Sequence, residues 1–92
     1  MKVRAHLLIA GKVQGVFFRS ATKEKAMEFG VHGWIRNLED GRVEAIFEGE
    51  KSDVKKLVDW CYHGPTGAVV SVVDVEWGEE YTGQYNSFFV AG

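Results

Sequence analysis

Cysteine and clustered basic residues are scarce in this sequence of 92 residues, and each shortage excludes a class of protein. A single cysteine, Cys61, excludes an internal disulfide and a Cys-x-x-Cys metal or redox centre. The net charge is −2, and Lys and Arg are spread along the chain, which argues against electrostatic binding to nucleic acid or anionic membranes. No apolar run approaches the ~20 residues of a membrane span, and the chain begins with a charged, alternating segment where a signal peptide would have its apolar stretch. We therefore expect a cytoplasmic protein without nucleic-acid or membrane partners.

Hydrophobic residues are abundant by contrast. They make up 46% of the chain and include three tryptophans, so a core can form without a disulfide or a structural metal. A chain of this size buries roughly 60–65% of its unfolded surface, which leaves no room for a second core. The sequence predicts one domain spanning residues 1–92.

Alternation of apolar and polar residues predicts five strands. They lie at residues 3–13, 31–38, 42–48, 69–77 and 85–90. In the fourth segment, the alternation assigns Val69, Ser71, Val73, Val75 and Trp77 to one side of the strand. The pair Asp40-Gly41 between the second and third segments is a strong hairpin signal, so those two strands are expected to be antiparallel neighbours.

Two segments have helical periodicity. The first carries Thr22, Ala26 and Phe29 on one side, with Ser20 expected to cap or begin the helix and Gly30 to end it. The second has a longer apolar face, formed by Val54, Leu57, Val58 and Cys61. We expect Gly49 to break the preceding strand, Ser52 or Asp53 to cap this helix, and Gly64-Pro65 to end it.

The order of these elements is strand, helix, strand, strand, helix, strand, with a short extra strand at the end of the chain. Two helices are too few to cover both faces of a doubly wound sheet. The prediction is an α+β fold, the ferredoxin-like split βαβ sandwich: βαββαβ with a short extra C-terminal strand and two helices packed on one face of an antiparallel sheet. Many unrelated functions share this plan.

The turn between the first strand and the first helix, residues 11–20, has the features of an anion site. Gly11 and Gly15 allow the backbone to approach another object closely, and consecutive N–H groups at the start of a helix suit phosphate or carboxylate. Arg19 adds a planar, permanently charged fork that can bind two oxygens. The turn has neither the Gly-Lys-Ser/Thr of a Walker loop nor the three-glycine dinucleotide fingerprint, so nucleotide binding by these routes is not expected.

Three blocks of the sequence resemble the acylphosphatase family. They are Gly-x-Val-Gln-Gly-Val-x-Phe-Arg at 11–19, Gly-Trp-Ile-x-Asn-x-x-x-Gly-x-Val-Glu at 33–44 and Gly-Pro-x-x-Ala at 64–68. The resemblance extends over nearly the whole chain and implies a single acylphosphatase-like domain. The implied reaction is hydrolysis of the carboxyl–phosphate bond of acyl phosphates to a carboxylate and inorganic phosphate, without metal, cofactor or covalent intermediate.

The resemblance also implies roles for particular residues. Arg19 and Asn37 would be catalytic, Arg19 by holding the phosphate and Asn37 by orienting the attacking water. The implied phosphate-binding loop consists of Gln14, Gly15, Val16, Phe17, Phe18 and Arg19, whose backbone amides would contact the substrate. Such roles suit phosphoryl transfer, which depends mainly on positioning and charge stabilisation, and a substrate phosphate oxygen could take the proton of the water. His32 and His63 lack a second ligand at metal-binding spacing, so structural or surface roles are expected for them.

Two other functions share the predicted fold. An RNA-binding module would display paired aromatic and basic residues on the open sheet face, but the Lys/Arg-Gly-Phe/Tyr segment of such modules is missing here. A non-catalytic anion-sensing or interaction module would keep the loop without turnover. We expect a monomer that binds a small acyl phosphate and inorganic phosphate. Val69 and Phe89 stand where relatives often carry charged or polar residues, and apolar side chains there would favour association through the sheet edge.

Overall fold

The computed structural model describes residues 1–78 and 80–91, which form a five-stranded sheet and two helices. The strands are β1 (Lys2–Lys12), β2 (His32–Asn37), β3 (Val43–Glu50), β4 (Val69–Gly78) and β5 (Phe88–Val90), and the helices are α1 (Phe18–Phe29) and α2 (Lys51–Cys61). The strand order in the sheet is β4-β1-β3-β2-β5. The predicted βαββαβ plan with a short extra C-terminal strand is confirmed.

The four longer strands pair antiparallel, as predicted, whereas β5 pairs parallel with β2 and makes the sheet mixed. The chain leaves β4 at one edge of the sheet, crosses to the other edge and returns in the opposite direction. Since β4 itself runs opposite to β2, this return makes β5 parallel to β2. Two backbone hydrogen bonds lie at the two ends of the β2–β5 pairing. Gly33 N–H donates to the Ser87 carbonyl at 3.1 Å, and Ala91 N–H donates to the Ile35 carbonyl at 2.8 Å.

The core lies between the helices and one face of the sheet. Its strand residues are Val3, Ala5, Leu7 and Ile9 of β1, Ile35 of β2, Val43, Ala45 and Phe47 of β3, and Phe88 of β5. The predicted apolar face of α2, Val54, Leu57, Val58 and Cys61, is buried against it, as are Thr22 and Ala26 of α1. Each large side chain buried in this way contributes about 1.5–3 kcal/mol relative to an exposed one.

Helix α1 begins at Phe18, two residues before Ser20, which the sequence predicted to cap or begin it. The residue before the helix is Phe17, whose φ of 60° is left-handed and whose side chain makes no capping bond. The Ser20 hydroxyl instead donates to the Phe17 carbonyl at 3.2 Å from within the first turn. The predicted end is confirmed, since Gly30 adopts φ 72° and Val31 N–H bonds back to Ala26 at 2.8 Å.

The predictions for the junction between β3 and α2 were wrong. Gly49 does not break the strand, because β1 continues to pair with it through Val3 opposite Gly49 and Lys2 opposite Glu50. Helix α2 begins directly at Lys51 and has no side-chain cap, so Ser52 and Asp53 lie inside the helix. The sheet ladder outweighs the local preference of the glycine.

Strand β4 departs from the predicted alternation because of a bulge. Ala10 pairs with Val72 but Gly11 pairs with Val70, so Ser71 is an extra residue in β4. The bulge reverses the alternation. Val70 joins Val73 and Val75 against the core, whereas Val69 and Val72 are exposed.

Gly11 lies at the same irregularity. A Cβ atom at Gly11, where φ is 130°, would stand 2.1 Å from the Val69 carbonyl oxygen. The close approach that the sequence suggested at Gly11 is therefore to β4. No helix among the described residues is long and apolar enough to cross a membrane.

Candidate active site

The pairing of the strands brings two loops to one end of the sheet. Ile9 of β1 pairs with Val43 of β3, and Val43 pairs in turn with Asn37 of β2. The segment that follows β1 and the hairpin that follows β2 therefore leave the sheet at the same end, with β3 between them. Two strand spacings separate β1 from β2 in this row, which amounts to about 10 Å.

The segment from Gln14 to Phe17 turns the chain from β1 into α1 through two left-handed residues. Gly15 has φ 74°, and a Cβ added there would meet nothing within 4 Å, so this glycine serves the backbone conformation and leaves open space beside it. Phe17 has φ 60° and is the one non-glycine residue with positive φ in the described parts of the chain. Strained residues of this kind cluster at functional sites.

The backbone N–H groups of this segment are free to bind a ligand. Among the described residues, none accepts a hydrogen bond from the N–H groups of Gln14 to Arg19, and the first turn of α1 carries no acidic side chain. The unbonded N–H groups at a helix start concentrate positive potential, which favours an anion. Residues 14–19 thus provide several donors and no competing carboxylate.

Phe18 anchors this segment to the core. Its side chain is 1% exposed, and its ring lies 5.7 Å from that of Trp60 in α2. A Cβ at Gly64 would stand 2.5 Å from the Phe18 ring, so the ring packs directly on the backbone after α2. The buried ring fixes the first turn of α1 and with it the position of Arg19.

Arg19 differs from the other three arginines of the chain. Arg4 pairs with Glu48 at 2.9 Å, Arg36 with Glu44 at 2.7 Å and Arg42 with Asp40 at 2.7 Å, whereas Arg19 forms no ion pair with any described carboxylate. It is half-buried, one residue into α1. An unpaired guanidinium beside free N–H groups can bind an anion bidentately.

Asn37 is the last residue of β2. Its Oδ1 is buried and accepts no hydrogen bond from the described residues, the only buried side-chain polar atom among them of which this is true. An unsatisfied buried acceptor of this kind destabilises a fold by about 1–3 kcal/mol. Such groups are rare in folded proteins, and one that is present calls for an explanation such as a functional role. The oxygen is suited to accept a hydrogen bond from a water or a ligand.

The Gln14 side chain connects the two loops. Its Nε2 donates to the Leu38 carbonyl at 2.8 Å and to the Arg42 carbonyl at 3.0 Å, both at the base of the hairpin that follows Asn37. Sequence reasoning selected Gln14 for its backbone amide and missed this side-chain role. No sequence signal reports it, because its partners are backbone carbonyls 24 and 28 residues away.

The hairpin itself is closed by Asp40. Its carboxylate accepts the Arg42 N–H at 3.0 Å and Arg42 Nε at 2.7 Å, and these bonds, the backbone one foremost, lower the pKa of Asp40. Both charges are exposed, so the pair contributes mainly to the shape of the turn. Gly41, with φ 95°, supplies the left-handed turn position that the sequence predicted.

Four surface grooves of the molecule are lined by residues outside these two loops. A surface groove of about 470 Å³ is lined by Met1, Val3, Lys51, Lys55, Trp77 and Gly78. Gly15 and Phe17 are exposed, so the loop at residues 14–19 is accessible to a small anion from solvent. His32 donates from Nδ1 to the Tyr85 carbonyl at 3.0 Å, the structural kind of role predicted for it. No three His, Cys, Asp or Glu side chains within residues 1–78 and 80–91 are placed to hold a metal ion.

Comparison with known proteins identifies a family for this chain. The acylphosphatase family model matches residues 5–90. The acylphosphatase of Pelotomaculum thermopropionicum is 53% identical over 90 residues, covering 98% of this chain and 97% of the relative. That of Roseiflexus is 58% identical over 87 residues, covering 95% of this chain and 92% of the relative.

Solved structures agree with the sequence matches. The structure of an acylphosphatase from Coxiella burnetii superposes with a TM-score of 0.87 at 38% identity, covering 98% of this chain and 93% of that one. The acylphosphatase from Bacillus subtilis superposes with a TM-score of 0.93 at 26% identity, covering 98% and 99%. With both family model and relatives matching almost end to end, this chain belongs to the acylphosphatase family, a family of enzymes that hydrolyse acyl phosphates.

Proposed function

We propose that this protein hydrolyses acyl phosphates by direct attack of a water molecule on phosphorus. Arg19 and the backbone N–H groups of residues 14–19 hold the phosphate, and Asn37 orients the water. The observation that carries the proposal is the run of unbonded N–H groups from Gln14 to Arg19 beside a guanidinium without a carboxylate partner. Donors of this kind, with no internal partner, suit the negatively charged oxygens of a phosphoryl group.

The phosphate-binding loop acts on the transition state as well as on the bound substrate. Negative charge spreads over the equatorial phosphoryl oxygens as the bond to the leaving oxygen lengthens. The burial of Phe18 fixes the backbone of the first turn of α1 before the reaction, so the N–H groups there stabilise that charge without reorganising, and the guanidinium of Arg19 adds a full positive charge. This positive charge belongs to the chain itself, and we propose that the reaction needs no metal and no cofactor.

Asn37 contributes to the attack itself. Its buried Oδ1 accepts a hydrogen bond from one O–H of the water, which directs a lone pair of the water oxygen towards phosphorus. The new P–O bond forms as the bond between phosphorus and the acyl oxygen breaks. The acyl oxygen leaves with the electron pair as a carboxylate, and the proton of the water passes to a phosphate oxygen. A carboxylate is a good leaving group, so neither a strong base nor an acid is required.

The proposal also covers the substrate, the oligomeric state, the cellular location and the partners. The substrate is a small acyl phosphate, and inorganic phosphate is the product and a competing ligand. We propose that the protein acts as a monomer in the cytoplasm, without nucleic-acid or membrane partners. Its net charge of −2 and scattered basic residues support the last point.

Turnover of matched aryl substrates tests the proposal. We expect release of benzoate and phosphate from benzoyl phosphate, undiminished after exhaustive treatment with EDTA, and little hydrolysis of phenyl phosphate, because its poorer leaving group needs a base, acid or metal. Activity lost in EDTA and restored by a divalent ion would contradict the metal-free mechanism. Phosphate binding without release of benzoate would favour the non-catalytic anion-sensing module instead.

A further inference from the structure

The carboxamide of Gln14 spans the gap between the two segments that the proposed function uses. Gln14 is the first residue of the phosphate-binding loop. Its side-chain Nε2 donates to the carbonyls of Leu38 and Arg42. Leu38 follows Asn37 in the chain, and Arg42 precedes Val43, the residue that pairs with Asn37. One side chain therefore fastens the loop to the base of the hairpin, at 2.8 Å and 3.0 Å.

The hairpin is closed without this side chain. Leu38 N–H already donates to the Arg42 carbonyl at 2.8 Å, and Gly41 N–H donates to the Leu38 carbonyl at 3.3 Å. A carbonyl oxygen has two lone pairs, so Gln14 supplies a second bond to each of these oxygens. Removing the carboxamide would leave neither carbonyl without a partner. The bonds are thus of limited value to the fold.

Both hydrogens of the Gln14 amide group are used in these two bonds, so Nε2 has no donor left for a phosphate. The loop needs a tie at this point, because residues 14–17 lie outside every helix and strand and their N–H groups bind no described residue. Phe18 fixes the far end of the loop in the core. Gln14 fixes the near end, against the segment that carries Asn37.

We propose that the Gln14 side chain is a positioning residue that sets the bound phosphate in line with the water on Asn37, an inference that rests on the proposed function. In-line attack depends on the distance and angle between phosphorus and the water oxygen. A misplacement of about 1 Å can slow such a step roughly 100-fold. A loop held only at Phe18 would still bind phosphate but would align it with Asn37 in fewer of its conformations.

Gln14→Leu tests this role, because leucine keeps the backbone amide and much of the volume but has no donor. We expect kcat on benzoyl phosphate to fall roughly 10- to 100-fold, with less than about a threefold change in the inhibition constant of inorganic phosphate. A kcat within about twofold of wild type in the folded variant would overturn the proposal. So would an equal loss in kcat and in phosphate affinity, since that result would mean that Gln14 only shapes the anion site.

Two further variants control the measurement. Gln84→Leu makes the same chemical change at an exposed glutamine two residues after Thr82, which binds Glu48 at the end of β3 away from Val43, and its kinetics should match wild type. Gln14→Asn keeps the carboxamide on a shorter arm that cannot reach both carbonyls, so it should show the same loss in kcat. It replaces Gln14→Leu in the test if the leucine variant fails to fold. Normal kcat in a folded Gln14→Asn protein would contradict the proposal equally.

A double-mutant cycle separates this inference from the proposed function itself. If Gln14 acts by aligning the phosphate with the water on Asn37, then Gln14→Leu should reduce kcat only slightly in an Asn37→Ala background. Multiplicative losses would show that Gln14 acts independently of Asn37 and would overturn the inference alone. Normal turnover in Asn37→Ala would instead refute the proposed function.

Discussion

Arg19 and Asn37 differ in what they can contribute, because one carries a permanent charge and the other a neutral oxygen. Arg19 can contact substrate, product and transition state alike, since all three contain the phosphoryl group. Asn37 Oδ1 is buried and has no charge with which to hold an anion. The two residues should therefore be separable by kinetics and by ligand binding.

We expect Arg19→Ala to lose both binding and turnover, with kcat/KM lower by roughly 1,000-fold or more, because a bidentate, charge-assisted contact is removed. Asn37→Ala should lose kcat while KM and stabilisation by phosphate change little, because its contact is made in the reaction itself. Steady-state kinetics on benzoyl phosphate and melting with phosphate measure the two effects.

Both variants must be folded for this comparison, which near-UV circular dichroism of the tryptophans and cooperative melting can establish. The assignment of roles is wrong if folded Asn37→Ala keeps near-normal turnover. It is equally wrong if folded Arg19→Ala still gains the full stabilisation from phosphate.

Phe17 offers a second prediction at the scale of single residues. Its left-handed backbone is strained for a residue with a Cβ atom by about 1–2 kcal/mol, and its side chain is 83% exposed and contributes little burial. Glycine relieves the strain but loses about 0.5–1 kcal/mol through the freedom of the unfolded chain. We expect Phe17→Gly to be neutral or more stable by up to about 1.5 kcal/mol, measured by urea unfolding. A loss above about 1 kcal/mol would mean that the exposed ring has a packing role.

At the scale of elements, one carboxylate binds Thr82 and Gly83, which lie between β4 and β5, to the open face of the sheet. Glu48 of β3 is 2% exposed and accepts hydrogen bonds from Arg4 at 2.9 Å, from Thr82 N–H at 3.0 Å and from Gly83 N–H at 3.1 Å. Burial alone would raise the pKa of Glu48, but the bonds from Thr82, Arg4 and Gly83 together outweigh it and lower that pKa. No sequence pattern marked this residue, because alternation predicts only which face of a strand a residue lies on.

The lowered pKa makes the fold sensitive to acid. A carboxyl whose pKa is lower in the folded state adds stability above its unfolded value, about 4.3, and that stability is lost as pH falls through the folded pKa. We expect Glu48→Gln to lower the free energy of unfolding at pH 7 by about 1–3 kcal/mol and to flatten its decline below about pH 4.3. Glu76→Gln, at an exposed position on β4, is the matched control. Equal pH profiles for wild type and Glu48→Gln would contradict this account.

The sequence predicted the type and order of every element, because apolar alternation and helical spacing reflect burial directly. It failed where long-range pairing decides the structure. Gly49 stays in β3 because β1 pairs with it, and Ser71 shifts the alternation of β4 because it is an extra residue opposite the pair Ala10–Gly11. The parallel pairing of β5 also depends on a partner 55 residues away, Gly33 opposite Phe88.

The candidate site likewise combines features that the sequence predicts with features that depend on long-range pairing. The glycine pattern and Arg19 are local signals, and they predicted a loop whose N–H groups are indeed unbonded. Asn37 was selected by resemblance alone, since an asparagine beside a hairpin is usually a turn residue. The hydrogen bonds of the Gln14 side chain could not be predicted from the sequence. They form only because strand pairing aligns Ile9, Val43 and Asn37 and so brings two distant loops together.

At the scale of the whole molecule, binding of phosphate should stabilise folding, because the loop that binds it exists only in the folded chain. Its ends are fixed by Phe18 in the core and by Gln14 at the hairpin, so the anion site disappears when the sheet melts. Phosphate at tenfold its dissociation constant should add about 1.4 kcal/mol to the free energy of unfolding. For a domain of this size that corresponds to a rise of roughly 6–11 °C in Tm.

Thermal melts in phosphate, with ionic strength matched by chloride, measure this rise directly. Arg19→Ala should abolish most of it, whereas Gln84→Leu should keep it in full. Matching ionic strength matters, because general screening of surface charges also shifts Tm and acts on both salts alike. A Tm that does not respond to phosphate in the wild-type protein would refute an anion site at residues 14–19, whatever the kinetics of turnover.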